Sequence, residues 1–275
     1  MIKVRAYGKI NLALEVKGEL NGYHEVNNIM VPISIYDELT LEKSKYDHVY
    51  VLDGYYEDNI VEKALKLFKE KYCITEFAEI EIIKRIPSEA GLAGGSSDAA
   101  AALIGLCELF NINATNEELK EIAAKLGSDV AFFLDLLPAM CTGRGEIITP
   151  FEFEPFDFNL LLVKPDISLS TKRVYKKYVY DKTSKADKLE NVKQALEKKD
   201  IELLEKNVFN DLEKTALSMN KDLNEFYNSL VKKGLKPHIT GSGPTMFIIN
   251  PTKEEIETVK SLAKENYYLA YCYTK

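Results

Sequence analysis

The chain has 275 residues, of which 46% are hydrophobic and 29% charged, with a net charge of −7. At ~150 residues per domain this length predicts two domains, and the hydrophobic share is ample for a core. The negative balance argues against nucleic acid as a partner, and no run approaches the ~18 apolar residues that would predict a membrane span.

Met1-Ile2-Lys3-Val4-Arg5 lacks the apolar stretch and cleavage site of a secretory leader. Cys73, Cys107, Cys141 and Cys272 are scattered without a CxxC pair, which speaks against a zinc site or a disulfide framework. A reduced, cytoplasmic protein is expected, as a monomer or weak homodimer. The three histidines, His24, His48 and His238, form no HExxH cluster. No protein-borne metal site is expected; any metal would be Mg²⁺ arriving with phosphates.

In chain order, Ile2–Tyr7 and Ile10–Val16 alternate with the period of strands, as do Asp47–Leu52 and Glu79–Lys84. Asn59–Tyr72 carries Val61, Ala64, Leu65 and Phe68 at helical spacing. The alanine-rich run after Ser97 is a strong helix former. Thr115–Leu126 predicts a further helix, capped by Thr115 with Glu118 three residues on and ended by Gly127. Two prolines and several acidic residues in Thr149–Asn159 place a boundary between domains 1–155 and 156–275. Beyond it come a strand at Leu160–Val163, a charged helical region from Thr171 to about Lys206, a helix at Asp222–Lys233 and a strand at Thr245–Asn250. A helix at Lys253–Glu265 and a strand at Tyr267–Tyr273 complete the chain. Strands and helices mixed without strict alternation predict α+β in both halves.

Four segments carry chemistry. In Pro87-Ser88-Glu89-Ala90-Gly91-Leu92-Ala93-Gly94-Gly95-Ser96-Ser97, a glycine-rich turn follows a strand and enters a helix. Glycines let backbone N–H groups converge, and the helix N-terminus adds unpaired donors and partial positive charge, which together cradle polyphosphate. The loop is neither a Walker A sequence nor a GxGxxG fingerprint, and a serine-capped turn is the alternative. Lys9 and Asn11 share one face of a strand, which could equally be a solvated face. Asp129, in Gly127-Ser128-Asp129-Val130-Ala131-Phe132-Phe133, offers a carboxylate for a substrate hydroxyl, or else caps the next helix. Ile239-Thr240-Gly241-Ser242-Gly243-Pro244-Thr245 is a second glycine-rich turn, weak by itself.

In this order the four segments resemble the GHMP small-molecule kinases. "AYGKINLALEV", "NGYHEV", "LGSDVAFFL", "GRGEIITP", "KPDISLSTKRVY" and "NDLE" narrow the likeness to a branch acting on a cytidine diphosphate-linked methylerythritol. The resemblance runs from about Lys3 to Phe247. It implies a two-domain fold, with an N-terminal domain like domain 2 of ribosomal protein S5 and a ferredoxin-like C-terminal domain. It also implies ATP-dependent phosphorylation of a 2-hydroxyl in the non-mevalonate route to isoprenoid precursors. Lys9 and Asp129 match the catalytic pair, and Pro87–Ser97 the ATP-binding loop, with Mg²⁺ on the nucleotide. Asn11, Tyr23, His24, Gly241, Ser242 and Gly243 match substrate positions, and Tyr175 an aromatic that stacks on cytosine. Ala131 stands where the family commonly has proline, and Thr240 where serine is usual. The competing readings are a kinase of homoserine, mevalonate or a sugar, a nucleotide-binding regulator without turnover, and a structural α+β protein.

Overall fold

The computed structural model describes residues 1–20, 23–52, 59–154 and 156–275, with the side chains of Leu20 and Tyr23 left aside. The chain forms two compact units, neither of which is one continuous stretch. The first comprises Met1–Gly8, Ile35–Ser88 and Ala93–Leu137; the second comprises Lys9–Ser34, Glu89–Leu92 and Pro138–Lys275. This division differs from a single boundary at residue 155. Among the described residues, no helix is long and apolar enough to cross a membrane.

The chain opens with two long strands, β1 (Ile2–Leu20) and β2 (Tyr23–Ser44), each of which contributes one end to each unit. The separate strands expected at Ile2–Tyr7 and Ile10–Val16 are therefore one. The first unit continues with β3 (His48–Val51), α1 (Ile60–Tyr72), β4 (Phe77–Ile83), α2 (Gly94–Phe110), α3 (Asn116–Leu126) and the single turn α4 (Phe132–Asp135). Its strands run in the order β3-β4-β2-β1, with β3 parallel to β4 and β4 antiparallel to β2. Val61, Ala64, Leu65 and Phe68 form the buried stripe of α1, and Asn59 caps it by accepting the Val61 N–H. Thr115 and Glu118 close the expected capping box on α3. Helix α2 is apolar nearly all round, and burial on several faces follows from that composition. At Gly105 it comes so close to the sheet that a Cβ would lie 2.7 Å from Leu41 Cδ1.

The second unit adds β5 (Ala139–Thr142), β6 (Ile147–Pro150), β7 (Asn159–Lys164), α5 (Thr171–Lys177), α6 (Ala186–Lys198), α7 (Ile201–Asn207) and β8 (Phe209–Asn210). It ends with α8 (Glu213–Met219), α9 (Lys221–Lys232), β9 (His238–Ile239), β10 (Met246–Ile249), α10 (Lys253–Leu262) and β11 (Tyr268–Tyr273). Here β1 pairs in parallel with β8, and β2 pairs with the β5–β6 hairpin. An antiparallel sheet in the order β11-β7-β10-β9 carries the helices, over a core that includes Leu161, Val163, Leu212, Leu223, Leu230 and Met246. The charged helical region after Thr171 consists of three helices, α5, α6 and α7. Between the first two, Asp181 Oδ1 accepts the Thr183 N–H at 2.9 Å, a local turn that competes with helix.

Candidate active site

In the second unit, Lys9 and Asn11 are 4% and 2% exposed, so the solvated-face alternative for Lys9 does not hold. Burying an ammonium is unfavourable unless hydrogen bonds replace its water. Lys9 Nζ donates to Asn11 Oδ1 at 2.7 Å and to the Gly91 carbonyl at 3.1 Å. Because Asn11 Oδ1 accepts from an ammonium, the orientation of the carboxamide is unambiguous. Its Nδ2 accordingly donates to Asn28 Oδ1 at 2.8 Å. The Thr240 hydroxyl completes the group: it accepts the Asn11 N–H at 3.0 Å and donates to Asn11 Oδ1 at 3.0 Å.

Two glycine turns meet at this group. Gly91 has φ +73°, and a Cβ there would lie 2.4 Å from the Thr240 carbonyl oxygen. Gly241 has φ +55°, and its Cβ would lie 3.2 Å from the Gly91 oxygen. Both need the left-handed region and both need the missing side chain. Ser242, 6% exposed, shares a 2.8 Å hydrogen bond with Thr171, while Gly243 (φ +76°) packs against Ile239 and Leu169. His24 and Tyr175 are stacked with centroids 5.1 Å apart and planes at 27°. Tyr175 also packs on the core of its unit, so its helix-packing role and its ring contact coexist. Tyr23 begins β2, but its side chain lies outside the described ones.

In the first unit, α2 starts at Gly94, four residues before the alanine run. Its N-cap, Ala93, has φ +55° and no capping side chain. Ser97 N donates to the Ala93 carbonyl at 3.0 Å; the first-turn N–H groups of Gly94, Gly95 and Ser96 precede any intrahelical acceptor. That end of a 17-residue helix fits an anion. Along the loop, Ser88, Glu89 and Gly95 are exposed, Pro87, Gly91, Ala93, Gly94 and Ser96 half-buried, and Ala90, Leu92 and Ser97 buried. Asp129 is half-buried in the turn after Gly127, where Val130 N donates to the Gly127 carbonyl at 3.3 Å. It does not cap α4, whose N-cap is Ala131.

A buried cluster lies in the same unit, with Asp98 in the first turns of α2. Lys84 Nζ donates to Asp37 Oδ2, and to Asp98 Oδ2 at 2.6 Å. Asp37 Oδ1 accepts the N–H groups of Arg85 and Ile86 at 2.5 and 2.8 Å. Burial pushes the Asp98 carboxyl up to about 8, against the pull of the Lys84 ammonium and with a further push from the Asp37 charge.

Thr240, Asn28 and Asn210 were not singled out as site residues by sequence reasoning. The available signals were the Asn27-Asn28 pair and the "NDLE" run.

Comparison with known proteins sets the class first. Residues 59–135 match the family model for the GHMP kinases N terminal domain, and residues 192–269 that for the GHMP kinases C terminal domain. A crystal structure of a mevalonate kinase superposes with TM-score 0.76 over 100% of this chain and 99% of that one, at 17% identity, a likeness of fold. Two curated relatives are more specific. The 4-diphosphocytidyl-2-C-methyl-D-erythritol kinase of Thermoanaerobacter pseudethanolicus is 40% identical, covering 98% of this chain and 94% of that protein. The kinase of the same name from Clostridioides difficile is 36% identical over the same shares of the two chains. A crystal structure of 4-(cytidine 5'-diphospho)-2C-methyl-D-erythritol kinase superposes with TM-score 0.79 at 26% identity, covering 98% of this chain and 99% of that one. The chain belongs to the 4-diphosphocytidyl-2-C-methyl-D-erythritol kinase family of the GHMP kinases.

Proposed function

We propose that this chain transfers the γ-phosphoryl group of ATP to the 2-hydroxyl of 4-diphosphocytidyl-2-C-methyl-D-erythritol, a kinase step of the non-mevalonate route to isoprenoid precursors. The observation that carries the reading is a buried lysine held by Asn11 and Gly91, in a chain related over almost its full length to kinases of that name.

Phosphoryl transfer asks a protein mainly to position the reactants and to stabilise charge. The N–H groups of Gly94, Gly95 and Ser96, with the loop from Pro87, are the donors for the ATP phosphates, whose charge a Mg²⁺ arriving with the nucleotide would help to neutralise. Asp129 takes or orients the proton of the 2-hydroxyl. Lys9 is the fixed cation for negative charge developing on the attacking oxygen. Oxygen then bonds to the γ-phosphorus as its bond to the β,γ-bridging oxygen breaks, giving ADP and the 2-phosphate. His24 reads the edge of the cytosine, and Tyr175 offers the face on which the base stacks. Asn11 and the turn Gly241-Ser242-Gly243 complete the acceptor side. The proposed working site is cytoplasmic.

The test is ADP release with 4-diphosphocytidyl-2-C-methyl-D-erythritol, measured beside homoserine and mevalonate. Turnover with the first alone is expected, and turnover with only one of the others would overturn the substrate assignment. Asp129→Asn is expected to lower kcat by about 10²–10⁴ while both substrates still bind.

A further inference from the structure

The run Asn210-Asp211-Leu212-Glu213 has no part in the chemistry above, yet its three polar side chains all reach the backbone of site-bearing segments. Asp211 Oδ2 accepts the Val16 N–H on β1 at 3.0 Å, and Glu213 Oε2 accepts the Ile239 N–H at 3.0 Å. Asn210 Nδ2 donates both of its hydrogens, to the Ile239 and Gly241 carbonyls, each at 2.8 Å, while its Oδ1 accepts the Leu212 N–H at 2.9 Å.

We infer that Asn210 is a positioning residue for the acceptor side of the site, acting through the Gly241 turn and Thr240 on Asn11 and so on Lys9. The two carbonyls it grips flank Thr240, which is fully buried. Carbonyls only accept, so the carboxamide has one possible orientation and sets the turn from both sides. The Thr240 hydroxyl passes that placement to Asn11, whose Oδ1 holds the Lys9 ammonium. The turn is packed closely on the Gly91 backbone, where a Cβ would lie 2.4 Å from the Thr240 carbonyl oxygen. The inference rests on the proposed role of Lys9 and Asn11 at the acceptor hydroxyl. An asparagine that only tied β8 to β9 would leave Lys9 and Asn11 indifferent to its replacement.

The experiment is site-resolved amide hydrogen exchange, with steady-state kinetics, on Asn210→Asp, Thr240→Val and Thr240→Ser. Asn210→Asp keeps the shape but replaces both donors by an oxygen facing two carbonyls. Exchange of the Asn11 amide is expected to quicken by about tenfold in Asn210→Asp and in Thr240→Val, with the Ile248 amide of β10 unchanged. Both variants should lose about 100-fold in kcat with KM for ATP within about twofold, and combining them should add little. Thr240→Ser keeps the hydroxyl, so exchange of its Asn11 amide should match wild type. Unchanged Asn11 exchange in both variants would overturn the inference; so would equal acceleration at Ile248, which marks a general structural role. Should Asn210→Asp fail to fold, Asn210→Ser, with one donor left, takes its place. A wild-type protein that releases no ADP defeats the proposed reaction, but the exchange data still decide the relay.

Discussion

Lys9 and Asn11, two residues apart on one strand, are joined by a 2.7 Å hydrogen bond that points the lysine at a neutral oxygen already shared with Thr240. Asn11 Oδ1 and the Gly91 carbonyl are both neutral acceptors of the ammonium hydrogens. Lys9→Met removes the cation and keeps the stem, so kcat should fall by about 10²–10³. Binding of cytidine diphosphate should change little, since the proposal places Lys9 at the attacking hydroxyl rather than at the base. Single-turnover kinetics and a titration with the diphosphate check both halves; wild-type kcat in this variant would remove Lys9 from the chemistry.

Gly91 and Gly234 separate two costs of replacing a glycine. Both have positive φ, +73° and +83°, but a Cβ meets the Thr240 oxygen at 2.4 Å in the first and nothing within 4 Å in the second. Gly234→Ala should cost about 1 kcal/mol for the left-handed backbone alone. Gly91→Ala should cost a further ~1–3 kcal/mol for the clash. Denaturant melts of the two variants measure the difference, and equal losses would mean that the turns relax apart freely.

Tyr175→Leu tests the ring stacked on His24. It retains an apolar side chain for the core but loses the aromatic face. KM for the cytidyl substrate should rise by about tenfold, with KM for ATP unmoved. If both constants move together, the ring serves packing rather than the base.

The Asp98 carboxyl, raised to about 8 from 3.8, gives a stability slope of known sign. Between those values the folded chain holds a proton that the unfolded chain has released. Stability from this group is therefore complete below about pH 4 and is lost as pH rises through 8. Asp98→Asn cannot ionise and removes the slope, so its stability relative to wild type should climb from pH 5 to pH 9. Urea melts across that range decide it; a difference that stays flat would mean that Asp98 is ionised throughout.

The capped helix at Thr115 and the glycine turn that opens α2 were legible because their signals are local: Thr115 with Glu118, glycines before alanines. Strand β2, the longest element, was not. Ile29, Met30, Val31, Pro32 and Ile33 are all buried, so the run has no alternation to read, and Pro32 punctuates it. The proline remains useful there, because its carbonyl accepts the Lys275 N–H at 2.9 Å. Lys9, Asn11 and the glycine turns were singled out from the local pattern, and their roles came from the family resemblance. What the chain order hides is that Asn11 and Thr240, 229 residues apart, share two hydrogen bonds. Spacing along a sequence carries no trace of such a contact, and Thr240 could be read only as a small departure in a loop.

Because β1 and β2 each belong in part to both units, and Glu89–Leu92 belongs to the second while its neighbours belong to the first, no single nick liberates either one. A protease cutting after Pro155 would leave Lys9, Asn11 and Gly91 on one peptide and Thr240 with Asn210 on the other. A chain that joins the front of one such protein to the back of another keeps this contact only if its back half carries a threonine or serine hydroxyl for the same asparagine.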